Sequence, residues 1–182
     1  MALREILLAD SPILRQKSKK VRKVDASIQR LIDDMIETMD NAHGVGLAAP
    51  QVGQLIWVIV IHIPEEEPIA LINPQVVKRA GERILEEGCL SIPGWRGEVK
   101  RSVTVTVRAL NGDGREIRIK ASEDLLAQAL EHEIDHLDGV LYIDHLTAPD
   151  KLWKYPPPGE AEDDEGDESP EPEPVGALQP GL

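Results

Sequence analysis

Two histidines and a glutamate fall at a spacing that suits metal chemistry. His132, Glu133 and His136 form the pattern HExxH within a stretch that we expect to be helical. Residues four apart on a helix are separated by about 6 Å along the axis and about 40° around it, so both imidazoles can contact one ion. Glu133 would lie beside that ion without having to bind it. The pattern predicts a metal site with a carboxylate beside it; the alternative is a solvated helix face that carries two histidines.

The chain contains a single cysteine, Cys89, which could complete such a site. Two histidines are too few for a tightly held ion, and catalytic sites use three protein ligands and leave the fourth position for water. A thiolate is a strong ligand for zinc or ferrous iron. The alternative is that Cys89 packs as a small buried hydrophobic residue, which is the commoner fate of a free cysteine. Its surroundings, EGCLSIPG over residues 87–94, favour the ligand.

These residues also carry a resemblance to a known family. Three segments resemble, in their order and separation, the signature motifs of peptide deformylases: GVGLAAPQ at 44–51, EGCLS at 87–91 and HEIDHLDG at 132–139. The resemblance covers roughly residues 5–147. It implies that Cys89, His132 and His136 bind one divalent metal ion, with ferrous iron as the native metal and nickel or zinc able to replace it.

The resemblance further implies a reaction and a role for each residue. The reaction is hydrolysis of the formyl amide on the N-terminal formylmethionine of newly made polypeptides, with release of formate. Glu133 would take the proton of the attacking water and deliver it to the departing amine. The side-chain amide of Gln51 and the backbone N–H of Leu90 would donate hydrogen bonds to the formyl oxygen, while the Gly46 backbone faces the substrate. A thiolate-bound ferrous ion would be sensitive to oxygen.

The same resemblance implies a pocket for the methionine side chain and a brace behind the metal. The matching pocket positions are Val45, Leu85, Leu125 and Ala129, with Gln128 at the edge. These could equally be ordinary core residues. Glu87 and Arg101 match an ion pair that orients the ligands and takes no part in catalysis.

Other functions remain open at this stage. One is an inactive, deformylase-like metal-binding protein. An HExxH endopeptidase would need a further His or Glu ligand, and His145 lies at a spacing that fits neither form of that signature. A structural zinc site normally has four protein ligands, but only three candidates stand in a motif. The segment GVGLAA at 44–49 mimics a dinucleotide-binding fingerprint, but Pro50 follows it where a helix should begin, so we expect no nucleotide cofactor.

The elements that must position these residues indicate an α+β fold. Apolar residues at helical spacing predict a helix over 27–41, with Asp25 or Ser27 as its N-cap, and a second over 123–138 that carries HExxH, with Glu123 and Asp124 in its first turn. Strands are predicted at 57–63 and 69–77, and alternation on both sides of NGDG predicts a β-hairpin from 102 to about 119. We expect antiparallel sheets packed around the central HExxH helix.

Composition divides the chain into two parts. Of its 33 acids, nine follow Lys154, where no base occurs, and this leaves 24 acids against 20 bases in the body. These totals show no basic footprint for nucleic acid. We predict a catalytic domain over 1–155 and a disordered, Pro- and Glu-rich tail over 156–182 without a partner. One cysteine, charges near the N-terminus and no long apolar run predict a cytoplasmic protein that does not contact a membrane.

Two departures from the family pattern bear on function. Glu131 replaces the glutamine that commonly precedes the first motif histidine, and we expect a minor effect on activity. Many members continue after the position of Leu146 into a basic helix linked to ribosome docking, whereas only Lys151 and Lys154 precede the acidic tail here. Because acids repel RNA phosphates, this difference argues against docking on the ribosome by that route. The nascent peptide is the predicted partner, and the ribosome stays open as a second one.

Overall fold

A computed structural model describes residues 2–155, so the predicted tail at 156–182 lies outside the described part of the chain. Residues 2–155 form two α-helices, α1 and α2, and eight strands, β1 to β8. In chain order they are α1 (Ala26–Asn41), β1 (Gly46–Ala48), β2 (Val58–Ile61), β3 (Ile69–Ala80), β4 (Arg83–Cys89), β5 (Ile92–Arg101), β6 (Thr104–Leu110), β7 (Glu116–Ser122), α2 (Leu125–Leu137) and β8 (Leu152–Lys154). The expected α+β class is confirmed.

The strands form two antiparallel sheets. One has the order β1-β2-β3-β6-β7 and the other the order β4-β5-β8. The long predicted hairpin is β6 and β7, paired from Thr104 with Ser122 to Leu110 with Glu116. The pairing of β4 with β5 was not predicted, because it joins residues whose alternation is broken by Gly88, Pro93 and Gly94.

The five-stranded sheet lies between the two helices. Ile59 and Ile61 of β2 belong to the apolar cluster that contains α2, whereas Val58 and Val60 belong to the cluster that contains Met35 and Met39 of α1. Successive strand residues point to opposite faces, so a strand covered on both faces must be apolar throughout. This explains why the run WVIVIHI is almost continuously apolar.

Helix α2 begins two residues later than the sequence indicated. Glu123 has a φ of 58°, which is left-handed and outside a helix. Asp124 is extended and its carboxylate accepts a hydrogen bond from the N–H of Ala127, so it is the N-cap. The prediction that these two acids occupy the first turn of the helix was wrong. Both precede the helix, and the Asp124 carboxylate accepts a hydrogen bond from a backbone N–H of the first turn that has no partner within the helix. Asp25 caps α1 as expected, by accepting from Ser27 and Ile28.

Within residues 2–155, no helix combines the length and apolar character needed to cross a membrane.

Candidate active site

A cleft of about 420 Å³ runs between the loop at β1, the β4–β5 hairpin and one face of α2. It brings together most of the residues singled out from the sequence. Those lining it include Val45, Gly46, Gln51, Cys89, Leu90, Leu125, Ala129, His132 and Glu133. Three segments that are far apart in the chain therefore form one concave surface.

At the floor of the cleft, the Cys89 sulfur and the His132 imidazole converge with His136, which is buried and does not itself line the cleft. The ligand atoms of Cys89, His132 and His136 all lie within 4.8 Å of one another, and the Cys89 Sγ is 3.3 Å from the His136 Nε2. In a tetrahedral site with metal–sulfur and metal–nitrogen bonds of about 2.3 and 2.1 Å, neighbouring ligand atoms are about 3.4 to 3.6 Å apart. The Cys89–His136 distance is close to that spacing. The cluster can hold one divalent ion with a position left open toward the cleft.

Glu87 holds His132 in the orientation that such a site needs. The Glu87 Oε2 is 2.8 Å from the His132 Nδ1, which places the ring proton there and leaves Nε2 for a ligand role. Two hydrogen bonds of 2.7 and 2.8 Å from Arg101 hold the same carboxylate, and both side chains are buried. Asp135, one turn along α2, also accepts from Arg101. The brace expected from the sequence is thus present and extends to a second carboxylate.

The charges behind the cluster have opposite effects on its members. Burial would raise the pKa of Glu87, but hydrogen bonds from Arg101 and His132 outweigh it and lower that pKa to about 2. Burial opposes a cation on His132, yet its hydrogen bonds to Cys89 and Glu87 raise its pKa well above the ordinary value. Burial and the neighbouring His132 lower the pKa of His136. Positive charge is therefore favoured on His132, between the Cys89 thiol and the Glu87 carboxylate, and disfavoured on His136.

Glu133 lies beside the cluster and does not belong to it. It is 4% exposed, and its Oε2 has no hydrogen-bond partner among the described residues. Burial raises its pKa to about 7. Its carboxylate rests against Gly46, where an added Cβ would lie 2.7 Å from the Glu133 Cδ. A carboxyl group with a pKa near neutrality and a free oxygen is suited to taking up and releasing a proton.

Gln51 is fixed by three groups at the opposite wall. It follows β1 in a short 3-10 helix (Ala49–Val52), where its Oε1 accepts from the Ala48 N–H at 2.8 Å. Its Nε2 donates to the Ser91 Oγ at 3.0 Å and approaches the Cys89 Sγ at 3.5 Å. The amide therefore points at the cluster. The role of Ser91 was not anticipated, since nothing in the sequence indicates that a hydroxyl at the β4–β5 turn meets a residue 40 positions earlier.

The N-terminal segment supports both walls of this part of the cleft. The Leu7 N–H donates to the Gln51 carbonyl at 2.8 Å, and the Ala9 N–H donates to the Ser91 carbonyl at 2.9 Å. The segment thus ties the loop that carries Gln51 to the turn that carries Leu90.

The expected methionine pocket is only partly assembled from the predicted residues. Val45, Leu125 and Ala129 line the cleft, and Gln128 closes its edge by donating to the Glu86 carbonyl at 2.9 Å. Leu125 is 40% exposed, which offers apolar surface to a ligand. Leu85 does not line the cleft. It lies on β4, half-buried and paired with Val99 of β5.

Several groups around the site were not indicated by any motif. The Tyr142 ring stacks on His132 at 6.1 Å between centroids. Trp95, Arg96 and Tyr155 line the mouth of the cleft, and the Arg96 guanidinium lies 4.6 Å from the Tyr155 ring centroid. Tyr155 reaches this place because β8 pairs with β5, an association between distant segments that local sequence patterns do not reveal.

The remaining histidines take no part in the metal cluster. His62 is paired with Asp40, and His145 lies 2.9 Å from Asp135. His43 lies at the rim of the cleft with a φ of 54°.

Taken together, this fold and this constellation define a class: an α+β metallohydrolase with one Cys/His/His site and a buried carboxyl group beside it. Comparisons with known proteins identify the family. The sequence profile of polypeptide deformylases matches residues 3–152. A peptide deformylase of Dehalococcoides mccartyi is 52% identical over 161 residues, which are 88% of this chain and 96% of that protein. One from Thermomicrobium roseum is 48% identical over 170 residues, which are 89% of this chain and 96% of that protein.

Solved structures agree. A peptide deformylase from Legionella pneumophila superposes with a TM-score of 0.78 at 45% identity and covers 82% of this chain and 89% of its own. One from Synechococcus elongatus, in complex with actinonin, gives a TM-score of 0.78 at 40% identity, with 81% of each chain covered. The chain belongs to the polypeptide deformylase family. Members of this family are metal-dependent hydrolases that remove the formyl group from the N-terminus of newly made polypeptides, and this chain is one of them.

Proposed function

We propose that the chain hydrolyses the formyl amide of N-formylmethionyl peptides with one divalent ion held by Cys89, His132 and His136. The observation that carries this assignment is the meeting of the three ligand atoms within 4.8 Å beside Glu133, on the floor of a cleft. Ferrous iron is the proposed native metal and nickel or zinc can replace it, because one thiolate and two imidazoles suit all three ions. When bound, the ion supplies Lewis acidity, which makes a nearby water more acidic and polarises a carbonyl.

Glu133 is the proposed proton carrier. It accepts a proton from the attacking water on its free oxygen and passes it to the methionine nitrogen as the carbon–nitrogen bond breaks. Water thus supplies the hydroxyl group of formic acid and the proton of the new amino terminus. Burial on the floor of the cleft keeps this carboxyl group close to the reacting atoms and away from bulk water.

Gln51 and Leu90 are the proposed donors to the formyl oxygen. The Gln51 amide already points at the cluster, and its long contact to the Cys89 sulfur can be exchanged for a substrate oxygen. The backbone N–H of Leu90 lies in the same turn, directly after Cys89. Donors fixed in advance stabilise the charge that develops on that oxygen without having to reorient. Val45, Leu125 and Ala129 then receive the methionine side chain, and the backbone of Gly46 faces the peptide.

The test is formate release from a short formylmethionyl peptide, with protein purified without oxygen and loaded with nickel. We expect Glu133→Ala to lower turnover by about 10² to 10⁴-fold, the usual contribution of a general base. Asp138→Ala is the matched control, because it removes an exposed carboxylate just after the same helix and should change little. Cys89→Ser should abolish stoichiometric metal in elemental analysis. Full turnover by Glu133→Ala would refute the role of Glu133, and no turnover by folded, metal-loaded protein would indicate an inactive homologue.

A further inference from the structure

A basic segment, defined here as residues 15–23, stands out once charge is followed along the chain. It reads RQKSKKVRK and contains Arg15, Lys17, Lys19, Lys20, Arg22 and Lys23. These are six of the 20 bases of the whole protein in nine residues, with no acid among them. The near balance of charge over the body hides this concentration, and the totals therefore gave no sign of a surface for nucleic acid.

Five of these six cations are uncompensated. Arg15 is paired with Asp144. Lys17, Lys19, Lys20, Arg22 and Lys23 are exposed and form no ion pair within residues 2–155. Asp25, the next acid along the chain, caps α1 and interacts electrostatically with Lys23 without forming an ion pair with it. Five exposed charges of one sign within seven residues repel one another, and a polyanion would relieve that repulsion.

The backbone of the segment is held in one shape. The backbone of Lys19 forms two hydrogen bonds with the segment before β2. Its N–H donates to the Leu55 carbonyl and its carbonyl accepts from the Trp57 N–H, both at 2.9 Å. Val21, two residues after Lys19, is held by the side chain of Asn73. The Val21 N–H donates to the Asn73 Oδ1 and the Val21 carbonyl accepts from the Asn73 Nδ2, both at 2.9 Å. Ligand binding would therefore not have to order this backbone, which reduces the entropic cost of association.

The segment also lies outside the cleft. The Ser18 N–H donates to the carbonyl of Leu137, the last residue of α2, at 2.8 Å. His132 and Glu133, which line the cleft, lie four to five residues earlier on that helix, about 6 to 7.5 Å away along its axis at 1.5 Å per residue. None of residues 15–23 lines the cleft. A partner bound here would leave the site open to a peptide.

We propose that the basic segment binds the phosphate backbone of structured RNA. No exposed large apolar side chain lies within it that could enter a lipid layer, and the one aromatic ring beside it, Trp57, is partly buried under Lys20. It thus lacks the exposed aromatic platforms on which unpaired bases stack, which favours contacts to phosphates. The biological role of this RNA binding rests on the proposed function, because newly made polypeptides emerge from a particle whose surface is rich in RNA.

The test measures binding of the full chain to a fluorescent 20-base-pair RNA duplex by anisotropy, at several salt concentrations. Five phosphate contacts predict a slope of log affinity against log salt of about −4.5, so that raising salt from 50 to 150 mM weakens binding about 140-fold. Replacing Lys17, Lys19, Lys20, Arg22 and Lys23 together by Gln should weaken binding at 50 mM salt at least tenfold and bring the slope near zero. A milder variant, Lys17→Gln with Arg22→Gln, should reduce the slope by about 2.

A matched control neutralises five exposed bases elsewhere: Lys78, Arg108, Arg115, Arg118 and Lys120. It changes the net charge equally and should leave RNA affinity within threefold. Equal loss in this control would overturn the proposal, since net charge alone would explain binding. No binding of the unaltered chain at 50 mM salt, or equally tight binding to phosphatidylserine vesicles through the same lysines, would overturn it as well. Formate release from a short free peptide should be unchanged in every variant, so a failure of the deformylase assignment would be seen separately.

Discussion

Gly46 and Glu133 are in such close contact that residue 46 cannot carry a side chain while the carboxylate stays in place. An added Cβ would lie 2.7 Å from the Glu133 Cδ and 2.8 Å from its Cγ, and nearer still to Oε1. The φ of Gly46 is not positive, so it is this contact, and not the backbone conformation, that requires glycine. The absence of a side chain on β1 is therefore what makes room for the proposed proton carrier on α2.

Gly46→Ala should accordingly lower the activity of the enzyme without affecting metal binding. The new methyl group must displace the Glu133 carboxylate, and we expect formate release to fall at least 100-fold, comparable with loss of the base itself. Metal content by elemental analysis should be unchanged, because neither residue is a proposed ligand. Gly112→Ala is the control, since nothing lies within 4 Å of the position that its Cβ would take. Equal activity of both variants would show that Glu133 can move without consequence.

The buried pair of Glu87 and Arg101 should matter for metal retention as well as for stability. Glu87→Gln leaves Arg101 partly unpaired in a buried place and weakens the hold on His132. We expect a loss of about 3 kcal/mol in the free energy of unfolding and a 10- to 100-fold loss of metal affinity. Urea unfolding and competition with a chelator measure the two effects.

An exposed ion pair provides the comparison. Glu82→Gln removes the same charge from a contact with Lys100 in which both side chains are more than half exposed. It should cost less than about 1 kcal/mol and leave metal affinity unchanged. Metal affinity that survives in Glu87→Gln would mean that His132 needs no brace.

Glu131 lies on the far side of α2 from the cleft. Its carboxylate accepts from the Ser102 N–H at 2.8 Å, from the Ser102 hydroxyl at 3.0 Å and from the Arg79 Nε at 2.9 Å. Glu131→Gln keeps one acceptor oxygen but loses the charge that strengthens these bonds, so we expect it to lower the free energy of unfolding by about 1 to 2 kcal/mol. Turnover should change less than about tenfold, or roughly 1.4 kcal/mol. A larger effect would mean that this network reaches the site.

The local part of this architecture could be predicted from sequence, and the long-range part could not. The HExxH spacing fixes the ligands on one helix face because helix geometry is local, and the β6–β7 hairpin follows from alternation around one turn. By contrast, Ser91 meets Gln51, and Tyr155 reaches the cleft, through contacts between distant segments. The boundary at Glu123 was misjudged because an N-cap and a first turn both favour acids.

His62 offers a prediction about pH. The hydrogen bond with Asp40 is the largest effect on the pKa of His62. It raises this pKa above the ordinary 6.5, and burial opposes it with a smaller effect. Because the pKa is raised in the folded state, the pairing stabilises the fold fully below pH 6.5. This stabilisation is lost as the pH rises through the pKa that His62 has in the folded protein. NMR titration of the His62 ring should show the raised pKa, and Asp40→Asn should bring it back toward 6.5. Asp33→Asn, an exposed acid of the same helix, should leave the His62 pKa in place; an equal shift would show general charge to be the cause.

The C-terminal region of the chain should consist of a tail that is dispensable for turnover and a segment, 152–155, that contributes to substrate binding. Tyr155 lines the cleft, its N–H donates to the Gly94 carbonyl at 2.8 Å, and β8 pairs with Trp95 and Arg96 of β5. Deleting 156–182 keeps all of these contacts, so turnover of a formylmethionyl peptide should be unchanged. Deleting 152–182 also removes β8 and Tyr155, and should raise KM several-fold with a smaller change in kcat, because the lost surface contacts the peptide and not the reacting atoms. Loss of activity on the shorter deletion alone would show that the acidic tail contributes to the site.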